Sequence, residues 1–353
     1  MLQRKLRQPV ALICILLVIL GLYYSNIRWS GRTQSSDPRL HTSFVKTHKG
    51  SFSYAELEEA VFRPLGYRIR EARPVIPSLE FVSEPTCHQA FNEYVETSKN
   101  DTNGIPPARI PDKLLSSFDL NGYSFISYRY SNDKSAGGPI MWSDMKSWLA
   151  KSDRDLEYAG YSGFSASLNS AMSHFGVASK TGLIVGSLSP WAETMALKLG
   201  AKKVVTVEYS KISIDETMRE RMEAVLAPTL AENWQKYAGQ FDFAASFSSI
   251  EHSGLGRFGD PLDPIGDFRE MTKVRCLLKP GGLFYFAVPY GLDGIVFNLH
   301  RIYGPVRLAF MFAGFEWVTT FVKESKLPVN LTAADFDLPH PNEIQKTIVL
   351  RKI

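Results

Sequence analysis

Between residues 182 and 290, short apolar runs alternate with amphipathic stretches and with turns marked by glycine or proline. The run 183–185 (Leu-Ile-Val) is short and β-rich, the pattern of a strand buried on both faces. Gly186 then lets the backbone turn sharply. Ser189 before Pro190 predicts a helix start, with a hydroxyl as N-cap and a proline where no amide hydrogen is needed, and Gly200 predicts its end. The next run, Lys203-Val-Val-Thr-Val-Glu208, ends on a carboxylate 22 residues after Gly186. Further on, residues 241–247 form another buried-strand pattern, with Asp242 near its start. Residues 266–278 have helical spacing (Phe268, Met271, Val274, Leu278), and Leu278-Lys-Pro-Gly-Gly leads into a strand that reaches Pro289. Between Glu208 and Asp242 no clear third strand and no obvious acid is legible.

A strand, a tight turn, a helix and a second strand ending in an acid make a Rossmann-like βαβ unit. In such units the turn faces a ligand and the acid accepts hydrogen bonds from ribose hydroxyls. The order "FD" strand, "IEH" turn (Ile250-Glu251-His252), helix and "LKPGG" resembles class I S-adenosylmethionine-dependent methyltransferases. Phe312-Ala-Gly-Phe-Glu-Trp-Val318 looks like the lead-in to that superfamily's sixth strand, and residues 346–352 stand where its antiparallel last strand belongs. The resemblance covers roughly residues 150–353. It implies an α/β sandwich with a mostly parallel sheet, and S-adenosylmethionine as cofactor. Gly-Ser-x-x-Pro-Trp, "IEHSGLGRFGDPLDPIGD" and Asn298-Leu-His-Arg-Ile-Tyr-Gly304 together look like a methyltransferase-like family, domain of unknown function family 268. One departure stands out. The superfamily's first loop usually carries two or three glycines where backbone approaches the methionine moiety, and here only Gly186 remains, followed by Ser187, Leu188 and Ser189.

The N-terminus bears on location. Arg4, Lys5 and Arg7 precede an uncharged apolar run over residues 10–24 that Ile27 and Trp29 extend. This predicts a cytoplasmic tail (1–9) and a transmembrane signal anchor (10–27). No small-x-small cleavage site follows the run, as a removable signal peptide would require. The polar stretch 28–50 reads as a flexible stem. Residues 51–149, with their many prolines, read as an irregular arm or lid, containing helical text at 54–62 and strand-like text at 123–130. Residues 150–353 are the methyltransferase-like domain. The sequons Asn100-Asp-Thr102 and Asn330-Leu-Thr332 are compatible with a body in the secretory lumen, in the Golgi or endoplasmic reticulum.

At 353 residues and 44% hydrophobic, the chain can bury one large core. A net charge of +4 with scattered bases implies no nucleic acid. Cys14, Cys87 and Cys276 form no metal-ligand pattern. Cys87 and Cys276 can pair in an oxidising compartment, but Cys276 in a helix is the better fit to a buried small hydrophobe.

The candidate chemistry follows from position. Gly186, Ser187, Glu208 and Ser249 are the cofactor-binding candidates, with Trp191 either lining the turn or packing its helix. His252, with Glu251 beside it, is the first candidate general base, because an unperturbed imidazole suits proton transfer near neutrality. Asn298, His300 and Arg301 form a polar cluster after the fifth strand, suited to an anionic or hydroxylated acceptor such as a glycan or metabolite. Arg301 can equally pair with a core acid. Two rival functions remain. One is a retired methyltransferase fold that only binds. The other is a lumenal glycosyltransferase, for which Asp335-Phe-Asp337 and Asp153-Arg-Asp155 supply an Asp-x-Asp pattern.

Overall fold

The computed structural model describes residues 37–100, 105–133, 139–323, 325–337 and 345–353. The expected anchor, residues 10–27, and the first part of the expected stem, residues 28–36, lie outside them; the rest of the stem is not flexible text but holds the short helix Arg39–Thr42 and the strand Phe44–Thr47, which pairs antiparallel with Gly50–Ser53. Among the described residues no helix is long and apolar enough to cross a membrane. Residues 1–40 and 41–353 separate into two units. In the first, Asp37 and Arg39 pair at 2.8 Å; the second holds the strands and helices of the fold.

Its centre is a sheet of β1 (Thr181–Val185), β2 (Lys203–Glu208), β3 (Met222–Leu226), β4 (Phe241–Phe247), β5 (Leu278–Pro289), β6 (Phe315–Val322) and β7 (Gln345–Lys352). The spatial order is β3-β2-β1-β4-β5-β7-β6. The pairs from β3 to β5 are parallel, and β7 inserts antiparallel between β5 and β6. This is the mostly parallel sheet with an antiparallel last strand that the resemblance implies. The crossovers carry α1 (Trp191–Lys198), α2 (Ala227–Glu232), α3 (Gly266–Leu277) and α4 (Pro305–Met311). Strands β1 and β4 are buried on both faces because helices cover both sides. Gly182 sits mid-strand because any side chain there would overlap the Phe243 ring on β4.

Three further expectations need correction. The third strand exists: Met222-Glu-Ala-Val-Leu226 pairs in parallel with β2 along its length. Its residues favour helix, and only tertiary pairing makes them a strand. Ser189 is not the N-cap; α1 begins at Trp191 after Pro190, and Ser189 offers its carbonyl to the Ser187 hydroxyl (2.8 Å).

The arm is the third correction. Residues 51–149 hold regular structure that is woven into the core. Phe125–Tyr128 pairs in parallel with Gly294–Phe297, Ile140–Trp142 pairs with Ile212–Ile214, and the helix Cys87–Asn100 packs on α2 and α3. That helix is fastened by a Cys87–Cys276 disulfide closing a separation of 189 residues, so Cys276 is no free buried thiol.

Candidate functional site

In open α/β sheets a ligand binds beyond the carboxyl ends of the strands, at the point where strand order reverses. Here that point lies between β1 and β4. Gly186 leaves β1 with φ +77°, and a side chain on it would overlap the Ser249 side chain beyond β4. The glycine is therefore required twice, by backbone conformation and by contact. Ser248, just before, takes a left-handed φ of +55° without being glycine, a conformation that the surrounding structure must hold.

Glu208 reaches the same place from β2. Its Oε2 accepts the Ser187 amide at 2.9 Å and its Oε1 the Tyr209 amide at 2.7 Å. Burial raises its pKa, against the lowering effect of these amides. Gly186, Ser187, Glu208 and Ser249 are thus brought together. Trp191 packs against Tyr161 and Phe247, so its role is support of the helix.

Glu193, a lone acid in the apolar helix α1, was not among the expected site residues. It is fully buried under the Gly186 turn. Thr206 donates to its Oε1 at 2.8 Å, and the Ser187 hydroxyl lies 3.0 Å from its Oε2. Burial, with Glu208 adding to it, pushes its pKa to about 7.

The Glu251–His252 turn follows β4. His252 donates Nδ1–H to the Leu299 carbonyl (2.7 Å), which leaves Nε2 as the acceptor, 3.8 Å from Glu251 Oε1. Burial and Arg257 push the His252 pKa down to about 3. It is neutral at physiological pH and a feeble base, which corrects the expectation of an unperturbed imidazole. Glu251 moves the other way. Burial pushes it up to about 7; Ser248 donates to Oε1 at 2.6 Å, and Oε2 is buried with no hydrogen-bond partner. Arg257 is itself held by Asp133 at 2.7 Å.

Two of the three acceptor candidates are structural. Asn298 is fully buried and spends its amide on the backbone of Ser131, accepting at 2.9 Å and donating at 2.8 Å. Arg301 is fully buried too. Its guanidinium donates to the carbonyls of Ser253 and Asp263 and lies 3.7 Å from Asp267. Neither reaches a substrate from there. His300, half-buried beside His252, keeps a place on the site's edge. The Asp-x-Asp acids are also accounted for. Asp335 pairs with Lys346 and Asp337 with Lys46, while Asp153 pairs with Lys198 and Asp155 with its cap Ser152. Among the described residues no group of three or more acids, histidines or cysteines could hold a metal.

A pH dependence follows from Glu193. In the folded chain it keeps its proton to about pH 7, whereas unfolded it loses it near 4.5. The folded state binds the extra proton in that window, so stability falls as pH rises from about 4.5 to 7. Glu193→Gln removes this loss. Urea unfolding at pH 5 and pH 7.5 should find the variant gaining on the wild type by up to about 3 kcal/mol between the two. A difference that does not change with pH contradicts the assignment.

The family described as "Caenorhabditis protein of unknown function, DUF268" matches residues 179–353. No curated protein matches the chain. Among solved structures, the chain is similar to Burkholderia thailandensis 1,6-didemethyltoxoflavin-N1-methyltransferase, at 18% identity and TM-score 0.38, covering 61% of this chain and 92% of that one. It is also similar to the N-methyltransferase NodS of Bradyrhizobium japonicum, at 11% identity and TM-score 0.34, covering 57% and 98%. The strand order, and not these superpositions, carries the fold assignment. Residues 179–353 match the DUF268 family, and the strand order over that segment is that of a methyltransferase-like α/β fold.

Proposed function

We propose that this chain binds S-adenosylmethionine in the crevice between β1 and β4 and passes its methyl group to a hydroxyl-bearing acceptor, a glycan or a small metabolite. The observation that carries the reading is the convergence of Glu208 on the Gly186–Ser187 turn at the switch point of the sheet. The residues present suit the ribose end of the ligand. A carboxylate has about four lone-pair sites, and two amides leave room for hydroxyl donors. Glu208 would hold the ribose, the Gly186–Ser187 backbone would face the ligand, and Ser249 would border it. When bound, the cofactor supplies an electrophilic methyl on a sulfonium. The chain's part is alignment, plus a proton acceptor if the acceptor must lose a proton. Glu251, poised near neutrality, suits that task better than His252, whose proton affinity is far lower.

Full-length chain in detergent, titrated calorimetrically with S-adenosylmethionine, tests the reading. The wild type should bind, and Glu208→Ala should weaken binding by ~1.5–3 kcal/mol. Unchanged affinity in the variant, or no binding by the wild type, overturns it. A second reading, a retired fold that binds without turnover, is favoured by Ser249 standing against the lone loop glycine. Binding with no methyl transfer to any of a panel of glycans and hydroxylated metabolites supports it.

The body is proposed to lie in the secretory lumen, tethered by residues 10–27. The Cys87–Cys276 disulfide supports an oxidising compartment, and the sequon's Asn330 is exposed. Expressed in cells with a secretory pathway, the chain should carry N-glycan lost in Asn100→Gln/Asn330→Gln, and should migrate differently under reducing and non-reducing conditions. A glycan-free, fully reduced chain with a protease-accessible C-terminus in sealed membranes contradicts this location.

A further inference from the structure

The helix Cys87–Asn100 lies outside the family match, yet it connects the disulfide to the proposed cofactor site. At its foot Cys87 is bonded to Cys276 at the end of α3. About one turn on, the Phe91 ring stacks on Trp234 beyond α2, with centroids 5.3 Å apart and planes 2° from parallel. Glu93 pairs with Arg269 of α3, and Lys273 Nζ stands 3.7 Å from the centre of the Tyr94 ring. Tyr94, itself buried, donates its hydroxyl to the Tyr209 hydroxyl at 3.0 Å. Tyr209 directly follows Glu208 and gives its amide to the Glu208 carboxylate. An unbroken line of contacts therefore runs from the disulfide through the helix to Tyr94, Tyr209 and Glu208.

Packing alone does not require the last links. A phenylalanine pair would fill the same space, whereas two phenol hydroxyls facing each other in a buried setting fix the rotation of both rings. Burial raises both phenols well above their ordinary pKa, so they remain neutral donors and acceptors at every physiological pH. Among the described residues the Tyr209 hydroxyl has Tyr94 as its side-chain hydrogen-bond partner. Without it, the Tyr209 ring beside Glu208 is held by packing alone, and a ligand there must bear the cost of fixing it.

We propose that Tyr94 is a positioning residue for nucleoside binding. It acts through Tyr209 on the wall beside Glu208, and the Cys87–Cys276 disulfide holds the helix that presents it. This rests on the S-adenosylmethionine reading above. The role is specific to the nucleoside half of the ligand, since the contact reaches Glu208 and not the Ser249 side of the crevice.

The experiment is calorimetry on the full chain in detergent with three probes: S-adenosylmethionine, adenosine and methionine. Tyr94→Phe should weaken S-adenosylmethionine and adenosine by about 2- to 10-fold, the value of one hydrogen bond, with methionine affinity unchanged. On a Tyr209→Phe background the same substitution should add nothing, because the two act as one unit. Cys87→Ser/Cys276→Ser should weaken the same two probes. A purely structural role predicts a lower melting temperature with all three affinities retained. Wild-type binding with unchanged Tyr94→Phe affinity removes this inference and leaves the cofactor reading standing. No wild-type binding removes both.

Discussion

One fully buried carboxylate, Asp267, sits between two fully buried guanidiniums, and the loops of the site hang on that arrangement. Arg307 grips it with two bonds of 2.7 and 2.9 Å, and Tyr303 donates to it at 3.0 Å. Burial pushes the Asp267 carboxyl up, but Arg301 and Arg307 outweigh burial and hold it below its ordinary pKa. Charges in such a place are tolerated only when every partner is present; removing one leaves a desolvated charge behind. With its charge balanced there, Arg301 can donate to carbonyls along the turn that contains Glu251 and His252. Asp293 completes the frame by accepting the amides of Gly304, Val306 and Arg307 at the start of α4. The catalytic candidates therefore stand on a rigid polar core rather than on a loose loop.

That core explains the dense motif of glycines and acids between His252 and Phe268. Asp260 accepts amides of Gly254 and Gly256, and Asp263 pairs with Arg269. The motif that suggested the family is thus chiefly an architectural one. It says how the turn is built, and says little about what the site binds.

The parts legible in the sequence were those whose signal is local. Buried runs marked β1, β2, β4 and β5, and the acid ending β2 was readable from spacing alone. What escaped depends on partners far along the chain. β3 is a strand only because β2 lies beside it. Asn298 is engaged by Ser131 and Arg301 by Ser253 and Asp263, so their polarity, taken for substrate binding, serves the interior. The low proton affinity of His252 comes from burial and from Arg257, neither visible in the tripeptide. Glu193 carried a faint signal, an acid amid apolar helix residues, that becomes meaningful only once the helix is known to be buried.

The central claim is that the crevice joining Gly186, Glu208 and Ser249 is a cofactor site. Hydrogen exchange of the full chain, with and without S-adenosylmethionine, addresses it most directly. The amides of the Gly186–Ser187 turn, of Tyr209 and of the segment after β4 should gain protection together, while the edge strand β6 stays unchanged. Protection confined to other surfaces, or none at saturating ligand, would contradict the account.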